Sequence, residues 1–266
     1  MCVICAGIGN EKPTHKELEQ ACKSNPDGFG WGAVVEHKGE QLLLSGKSMQ
    51  AKEAIHDYEA VFREYGNHVQ AHFFHARIAT HGETSLRGCH GFMVEGSDKK
   101  SIIAHNGILP LTLEKGDWRS DSRVFAEDVL PRFGGITGLC DQRVWDVMDG
   151  FVEGSNSKIV ILTLELEIPL LILGESLGHW QTEGLWWSNK SYMPYNYSTY
   201  PAPKTVVMGS QVWDETDEDS LLTNCLNPEC PEILDYMNEF CHYCGWCQDC
   251  DAHWEACQCF VGSAKR

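Results

Sequence analysis

Hydrophobic and polar positions along this chain switch repeatedly between a period of two and a period near 3.6. Residues 2–8 are a short apolar run that predicts a strand, and Thr14 three residues ahead of Glu17, just after Pro13, predicts a capping box opening a helix to about Lys23. The turn-forming Asn25-Pro26-Asp27-Gly28 ends that helix. Runs at 31–36 and 41–45, joined by His37-Lys38-Gly39-Glu40, predict a β-hairpin, and residues 51–65 place Ala54, Ile55, Tyr58, Val61 and Phe62 at helical spacing. Residues 69–80 and 101–109 are β-rich around a polar loop. Helical periodicity returns at 121–132 (Val124, Phe125, Val129) and 143–152 (Val144, Val147, Met148, Phe151), and strands are expected at 158–164, 169–173 and 184–188. Strand runs alternating with helix pairs, with several hairpins, predict an α+β layered architecture with antiparallel sheets covered by helices, and argue against a doubly wound parallel sheet.

Composition adds that 266 residues at 42% hydrophobic and 10% aromatic can build a large core. The longest apolar tract, 159–174, is interrupted by Glu165, Glu167 and Pro169, so it reads as two strands and a turn, and no membrane span is expected. With 21 Lys+Arg against 38 Asp+Glu, the net charge of −17 repels phosphate backbones and anionic lipid, so neither nucleic acid nor a membrane surface is an expected partner. The opening MCVICAGIGNEK lacks the basic flank and the apolar length of a secretory signal, which predicts a cytoplasmic, reducing location where cysteines are thiols or metal ligands. Residues 191–204 are rich in Tyr, Pro and Ser without periodicity. The expected organisation is therefore a catalytic domain over 1–190, a linker over 191–220 and a cysteine-rich tail over 221–266.

Cys2 directly follows the initiator Met, so removal of Met1 would give one residue carrying both a thiol and a free α-amine. With a pKa of about 8, that amine can take the thiol proton and later return it to a leaving group. A small residue opening a buried strand is the alternative for Cys2, as for Cys5. Three later segments bear on the choice: HARIATHG (75–82), AHNGIL (104–109) and SDSRVF (120–125). With an N-terminal cysteine and in this order, they resemble the class II glutamine amidotransferases over about residues 2–190, including NPDGFGWG (25–32) and WWSNKSY (186–192). The resemblance implies a four-layer αββα N-terminal-nucleophile hydrolase fold that cleaves the side-chain amide of glutamine, or of a γ-glutamyl amide, and releases ammonia. It needs no cofactor for catalysis.

The resemblance assigns Cys2 as nucleophile, Arg77 and Asp121 to the α-carboxylate and α-ammonium of a small-molecule substrate, and Asn106 with the Gly107 N–H to the oxyanion hole. Thr80 and His81 fall to the substrate-binding strand, while His75 and His105 are expected behind the site or in the core, and His72 as a packed strand residue. The chemistry suits these types: guanidinium binds carboxylate bidentately, and two preorganised donors stabilise a tetrahedral intermediate. Structural alternatives remain for each, with Arg77 as an ion-pair partner, Asn106-Gly107 as a tight turn and Asp121 as a helix N-cap. Two departures from the family pattern are Gly88-Cys89-His90-Gly91 after the arginine strand and Arg123 where a Glu is usual. No ammonia-consuming domain is visible, which leaves a separate ammonia-accepting protein partner, a stand-alone γ-glutamyl conjugate amidohydrolase, or a catalytically silent adaptor.

In the tail, Cys225, Cys230, Cys241, Cys244, Cys247, Cys250, Cys257 and Cys259 are spaced in pairs suited to tetrahedral thiolate sites, and about two structural zinc ions are expected. An iron–sulfur cluster on Cys241, Cys244 and Cys247 is the rival, and His242 or His253 could replace a cysteine. Residues 205–264 contain no Lys or Arg, so the aromatic residues Tyr243, Trp246, Trp254 and Phe260 suggest a protein-docking surface or a small aromatic core, not a nucleic-acid contact.

Overall fold

The computed structural model describes residues 2–79, 84–97, 100–113 and 116–193, together with the backbone of two short strands, Leu222–Asn224 and Ile233–Asp235. The chain divides into two units, Met1–Tyr200 and Pro201–Arg266. In the second, the two short strands pair antiparallel. The eight tail cysteines lie outside the described residues, as do Thr80 and His81.

The first unit is built on two antiparallel sheets. Strands β1 (Val3–Ile8), β2 (Phe29–His37), β3 (Glu40–Ser48), β4 (Val69–Ala76), β9 (His179–Thr182) and β10 (Leu185–Trp187) form one, in the order β3-β2-β4-β1-β10-β9. Strands β5 (Phe92–Met93), β6 (Ser101–Asn106), β7 (Lys158–Thr163) and β8 (Leu170–Leu173) form the other in sequence order. Helices α1 (His15–Ser24) and α2 (Ala51–Tyr65) cover the first sheet. The second is covered by α3 (Asp121–Val124), a π turn (Phe125–Val129), α4 (Leu130–Arg132), α5 (Gly135–Gly138) and α6 (Gln142–Gly154).

Side-chain parity produces the layers. Along β1, Val3 and Cys5 face α1 and α2 with Leu18, Ala21, Ile55 and Tyr58, whereas Ile4 and Ala6 meet Ile102, Ala104, Val160 and Leu162 of the opposite sheet. Ile103, Ile159 and Ile161 turn the other way, onto Phe125, Leu130 and Met148. Three apolar seams thus separate four layers, helices–sheet–sheet–helices, with antiparallel sheets covered by helices as the sequence pattern predicts. The adjacent Trp186 and Trp187 are both fully buried, one between the sheets and the other under α1 and α2.

Local signals account for most boundaries. The Thr14 hydroxyl accepts from the Glu17 N–H, and the Glu17 carboxylate accepts from the Thr14 N–H at 2.7 Å, so both halves of the capping box are present. β6 stops at Asn106, short of the expected 109, because Gly107 turns the chain at φ 144. β4 ends at Ala76 rather than continuing to 80.

Candidate active site

The register of the first sheet assembles the site. Val3 pairs with Ala76 of β4, so the next position in an antiparallel ladder sets Cys2 beside Arg77. Parity puts Cys2 on the face of Ile4 and Ala6, Arg77 on that of Ala71 and Phe73, and Asn106 on that of Ile102 and Ala104: all three point toward the space between the sheets at one end. Cys2, Arg77, Gly107 and Asp121 line one cavity of about 450 Å³.

Cys2 is partly buried, and its thiol donates to the Ile78 carbonyl at 3.5 Å. Its own carbonyl accepts from Asn189 Nδ2 at 2.7 Å. Burial raises the Cys2 thiol above its ordinary pKa, so it needs a base to become a nucleophile at neutral pH. Cys5, three residues on, is fully buried beneath the helices and its thiol is pushed up to about 12, which suits it to the core and not to chemistry.

Arg77 is buried, and its backbone is pinned by the turn after α1: its N–H donates to Gly28 O at 2.9 Å and its carbonyl accepts from Asp27 N at 2.9 Å. Asp27 Oδ2 also accepts from Ala79 N at 2.8 Å. The NPDG segment therefore positions the arginine as well as ending a helix.

Asn106 is fully buried, and its Nδ2 donates to Ser188 Oγ at 2.8 Å while its Oδ1 has no hydrogen-bond partner. Ser188 Oγ also accepts from Ile4 N at 2.8 Å, so one hydroxyl ties the strand that carries the nucleophile to the amide at the end of β6. Turning that amide over would let the Ser188 hydroxyl donate to Oδ1 and leave the NH2 as the unpartnered group. In either orientation a polar atom of a buried amide is unsatisfied, which costs about 1–3 kcal/mol until a ligand meets it. At Gly107, an added Cβ would be strained at φ 144 and would collide with the Ser157 side chain.

Asp121 holds the loop after Gly107, with Oδ2 accepting from Leu109 N and Oδ1 from Ser122 N, both at 2.7 Å. The N-cap of α3 is Ser120, in extended geometry with its hydroxyl accepting from Arg123 N at 3.3 Å, so Asp121 occupies the first turn instead of the cap. A carboxylate there is favoured by the helix dipole.

Three histidines back the cavity. The rings of His75 and His90 stack at 4.0 Å, His90 Nδ1 accepts from His105 N at 2.9 Å, and His75 Nε2 donates to His105 O at 3.2 Å. His105 Nδ1 meets Ser122 Oγ at 2.7 Å. Burial lowers His75 to about 3 and His90 well below its ordinary value; it lowers His105 to about 4 despite the opposing Asp121 carboxylate. All three are neutral at pH 7. His75 is thus buried behind the cavity and His105 forms part of its wall, while His72 is a packed strand residue on the other face of the sheet, buried against Tyr58 and Phe62 of α2.

Ser188, Asn189 and Ser122 have no role that residue type and spacing alone would assign, and His90 stands out only as a departure from the family pattern. The signal was the WWSNKSY segment, whose Ser and Asn follow a strand that pairs with β1. Among the described residues, no group of three or more His, Cys, Asp or Glu side chains is placed to hold a metal, and no helix is long and apolar enough to cross a membrane.

No protein family matches this chain by sequence, and no curated protein matches it. Among solved structures it is similar to the glutamine phosphoribosylpyrophosphate amidotransferase of B. subtilis complexed with ADP and GMP, at 16% identity and a TM-score of 0.43, covering 71% of this chain and 42% of that one. A glutamine aminotransferase class-II domain protein from Silicibacter pomeroyi is similar at 15% identity and a TM-score of 0.32, over 70% of this chain and 87% of that one. The chain thus spans less than half the length of the first of these.

Proposed function

We propose that this chain is a cysteine N-terminal-nucleophile hydrolase of the class II glutamine amidotransferase type, cleaving the side-chain amide of glutamine or of a γ-glutamyl amide. The observation that carries the reading is the convergence of Cys2, Arg77, Gly107 and Asp121 on one cavity, with the unsatisfied Asn106 amide at the same end of the sheets. With Met1 removed, the α-amine of Cys2 takes the thiol proton as sulfur attacks the amide carbon. The carbonyl oxygen becomes an oxyanion held by the Asn106 NH2 and the Gly107 N–H. Collapse breaks the C–N bond, the ammonium returns its proton to the departing nitrogen, and ammonia or an amine leaves. Water, deprotonated by the same amine, then hydrolyses the γ-glutamyl thioester to glutamate and regenerates the thiol. Arg77 and Asp121 grip the α-carboxylate and α-ammonium.

Steady-state kinetics on single variants test these roles. Arg77→Lys and Asp121→Asn are expected chiefly to raise KM, because they weaken ground-state grip. Asn106→Ala is expected to lower kcat about a hundredfold or more, as for loss of an oxyanion donor. Ser188→Ala, which frees the Asn106 amide, should lower kcat with little change in KM. Equal kcat losses across all four variants would mean that the roles are misassigned.

For the tail, the proposal is structural zinc, about two ions per chain on the eight cysteines, and it rests on their spacing alone. Elemental analysis of the full chain should find zinc in a colourless protein. Iron and sulfide in a brown one would overturn this.

A further inference from the structure

Resting on that reading of Cys2, we propose that the outer wall of the cavity is a subsite for the amine portion of the substrate, and that this portion is a planar aromatic group bearing an anionic substituent.

Size is the first argument. Glutamine has ten non-hydrogen atoms, which at no more than a water's share of roughly 30 Å³ each come to at most about 300 Å³. The cavity holds about 450 Å³, so glutamine leaves a large part unfilled. The chemistry of the wall is the second. Groups suited to an amino acid, Arg77 and Asp121, share the cavity with apolar Ile108, Leu111, Leu113 and Trp118, of which Ile108 is 54% and Trp118 62% exposed. Departing ammonia does not call for an aromatic wall, and exposed apolar side chains grouped on a cavity rim are the kind of patch that marks a ligand-binding groove.

Charge is the third argument. Trp118 draws two guanidiniums to its ring, Arg123 at 4.8 Å and Arg87 at 5.4 Å. Arg119, beside it, is fully committed: its guanidinium donates to Asp117, Glu127 and Asp128 at 2.7–3.1 Å. Arg123 is shared with Glu127 at 2.7 Å. Arg87 is exposed and forms no ion pair among the described residues, and the next residue, Gly88, lines the cavity. A cation held against an aromatic ring, with no ion pair among the described residues, on a chain of net charge −17, selects an anion locally where the overall field repels it. Arg123 stands where the resemblance leads one to expect a Glu, so the departure lies on this wall.

The test uses the full chain with Met1 removed. Hydrolysis is compared for L-glutamine, L-γ-glutamyl-4-nitroanilide and L-γ-glutamyl-3-carboxy-4-nitroanilide, and binding of the free amines 4-nitroaniline and 3-carboxy-4-nitroaniline is titrated separately. The carboxylated anilide should have the highest kcat/KM, about fivefold or more above the uncharged one, an effect the size of one partly exposed charge contact. Arg87→Gln should erase that preference, and Trp118→Ala should lower kcat/KM for both anilides relative to glutamine. The free carboxylated amine should bind more tightly than 4-nitroaniline, and Arg87→Gln should abolish the difference. Equal kcat/KM for the two anilides, or equal binding of the two free amines, would overturn the subsite. Absence of hydrolysis for every γ-glutamyl compound, with the binding preference intact, would overturn the hydrolase reading and leave the subsite standing.

Discussion

Cys2→Ala is expected to abolish ammonia release from L-glutamine, with a loss of at least about a thousandfold, because the proposed mechanism forms its covalent bond through that thiol. Cys5 cannot substitute: it faces the helix layer and its thiol is held near 12 by burial. Cys2→Ser should fall nearly as far, since a hydroxyl is a far weaker nucleophile even with an amine on the same residue. The variant should fold normally, because Cys2 is only partly buried and its one side-chain bond is a weak thiol donation to Ile78 O. Protein that retains Met1 should also be inactive, since it has no amine on Cys2. In active protein kcat/KM should climb with pH through the titration of that amine, at about 8, because only the neutral amine accepts the thiol proton. Full activity in Cys2→Ala would end the mechanism.

Mild acid should weaken this fold before most of its carboxylates titrate. His72, His75 and His105 are buried and neutral, lowered to about 4, 3 and 4 from the ordinary 6.5. Hydrogen bonding matches the neutral form. His72 Nε2 donates to Glu11 O at 2.7 Å and its Nδ1 accepts from the Tyr58 hydroxyl at 2.8 Å, so a second proton has nowhere to bond. The stacked His75 and His90 rings would repel each other if charged. Because the folded pKa values lie below the unfolded ones, the unfolded chain binds more protons between pH 6.5 and about 3. Stability is fully present above pH 6.5 and is lost as pH falls through that window, by about 1 kcal/mol per pH unit for each ring. Urea unfolding of the full chain at pH 7.5, 6.5, 5.5 and 5.0 checks this. A midpoint that stays level from pH 7.5 to 5.0 would contradict it.

Elements with strong local signals were readable in advance. The α2 helix runs over the same residues, 51–65, that its apolar spacing marks out, and α1 starts behind the capping box its residues encode. Phe92–Met93 and His179–Thr182 were missed, the first because two residues carry no period and the second because three of its four residues are exposed on a sheet edge. The Gly135–Gly138 turn has no apolar repeat to betray it. The helix expected at 121–132 is interrupted by a π turn over Phe125–Val129, just before Pro131, whose missing N–H cannot close the usual bond four residues back.

The residue types of the site were legible for a different reason: Cys2, Arg77, Asn106-Gly107 and Asp121 carry their chemistry in their identities and order. What holds them was not. Ser188 meets Asn106 only because β10 pairs with β1 and the two sheets stack, and the His75–His90–His105 cluster exists only across that stack. The Trp118 rim likewise gathers Arg87 and Arg123 from separate turns.

Covalent catalysis by Cys2 is tested by rapid acid quenching of the Met1-free enzyme during turnover of L-glutamine, followed by mass mapping of its peptides. One γ-glutamyl group is expected on the peptide that begins at Cys2, accumulating on the timescale of turnover and absent from Cys2→Ala. Turnover with no acyl group on that peptide, or with the group on another residue, would contradict it.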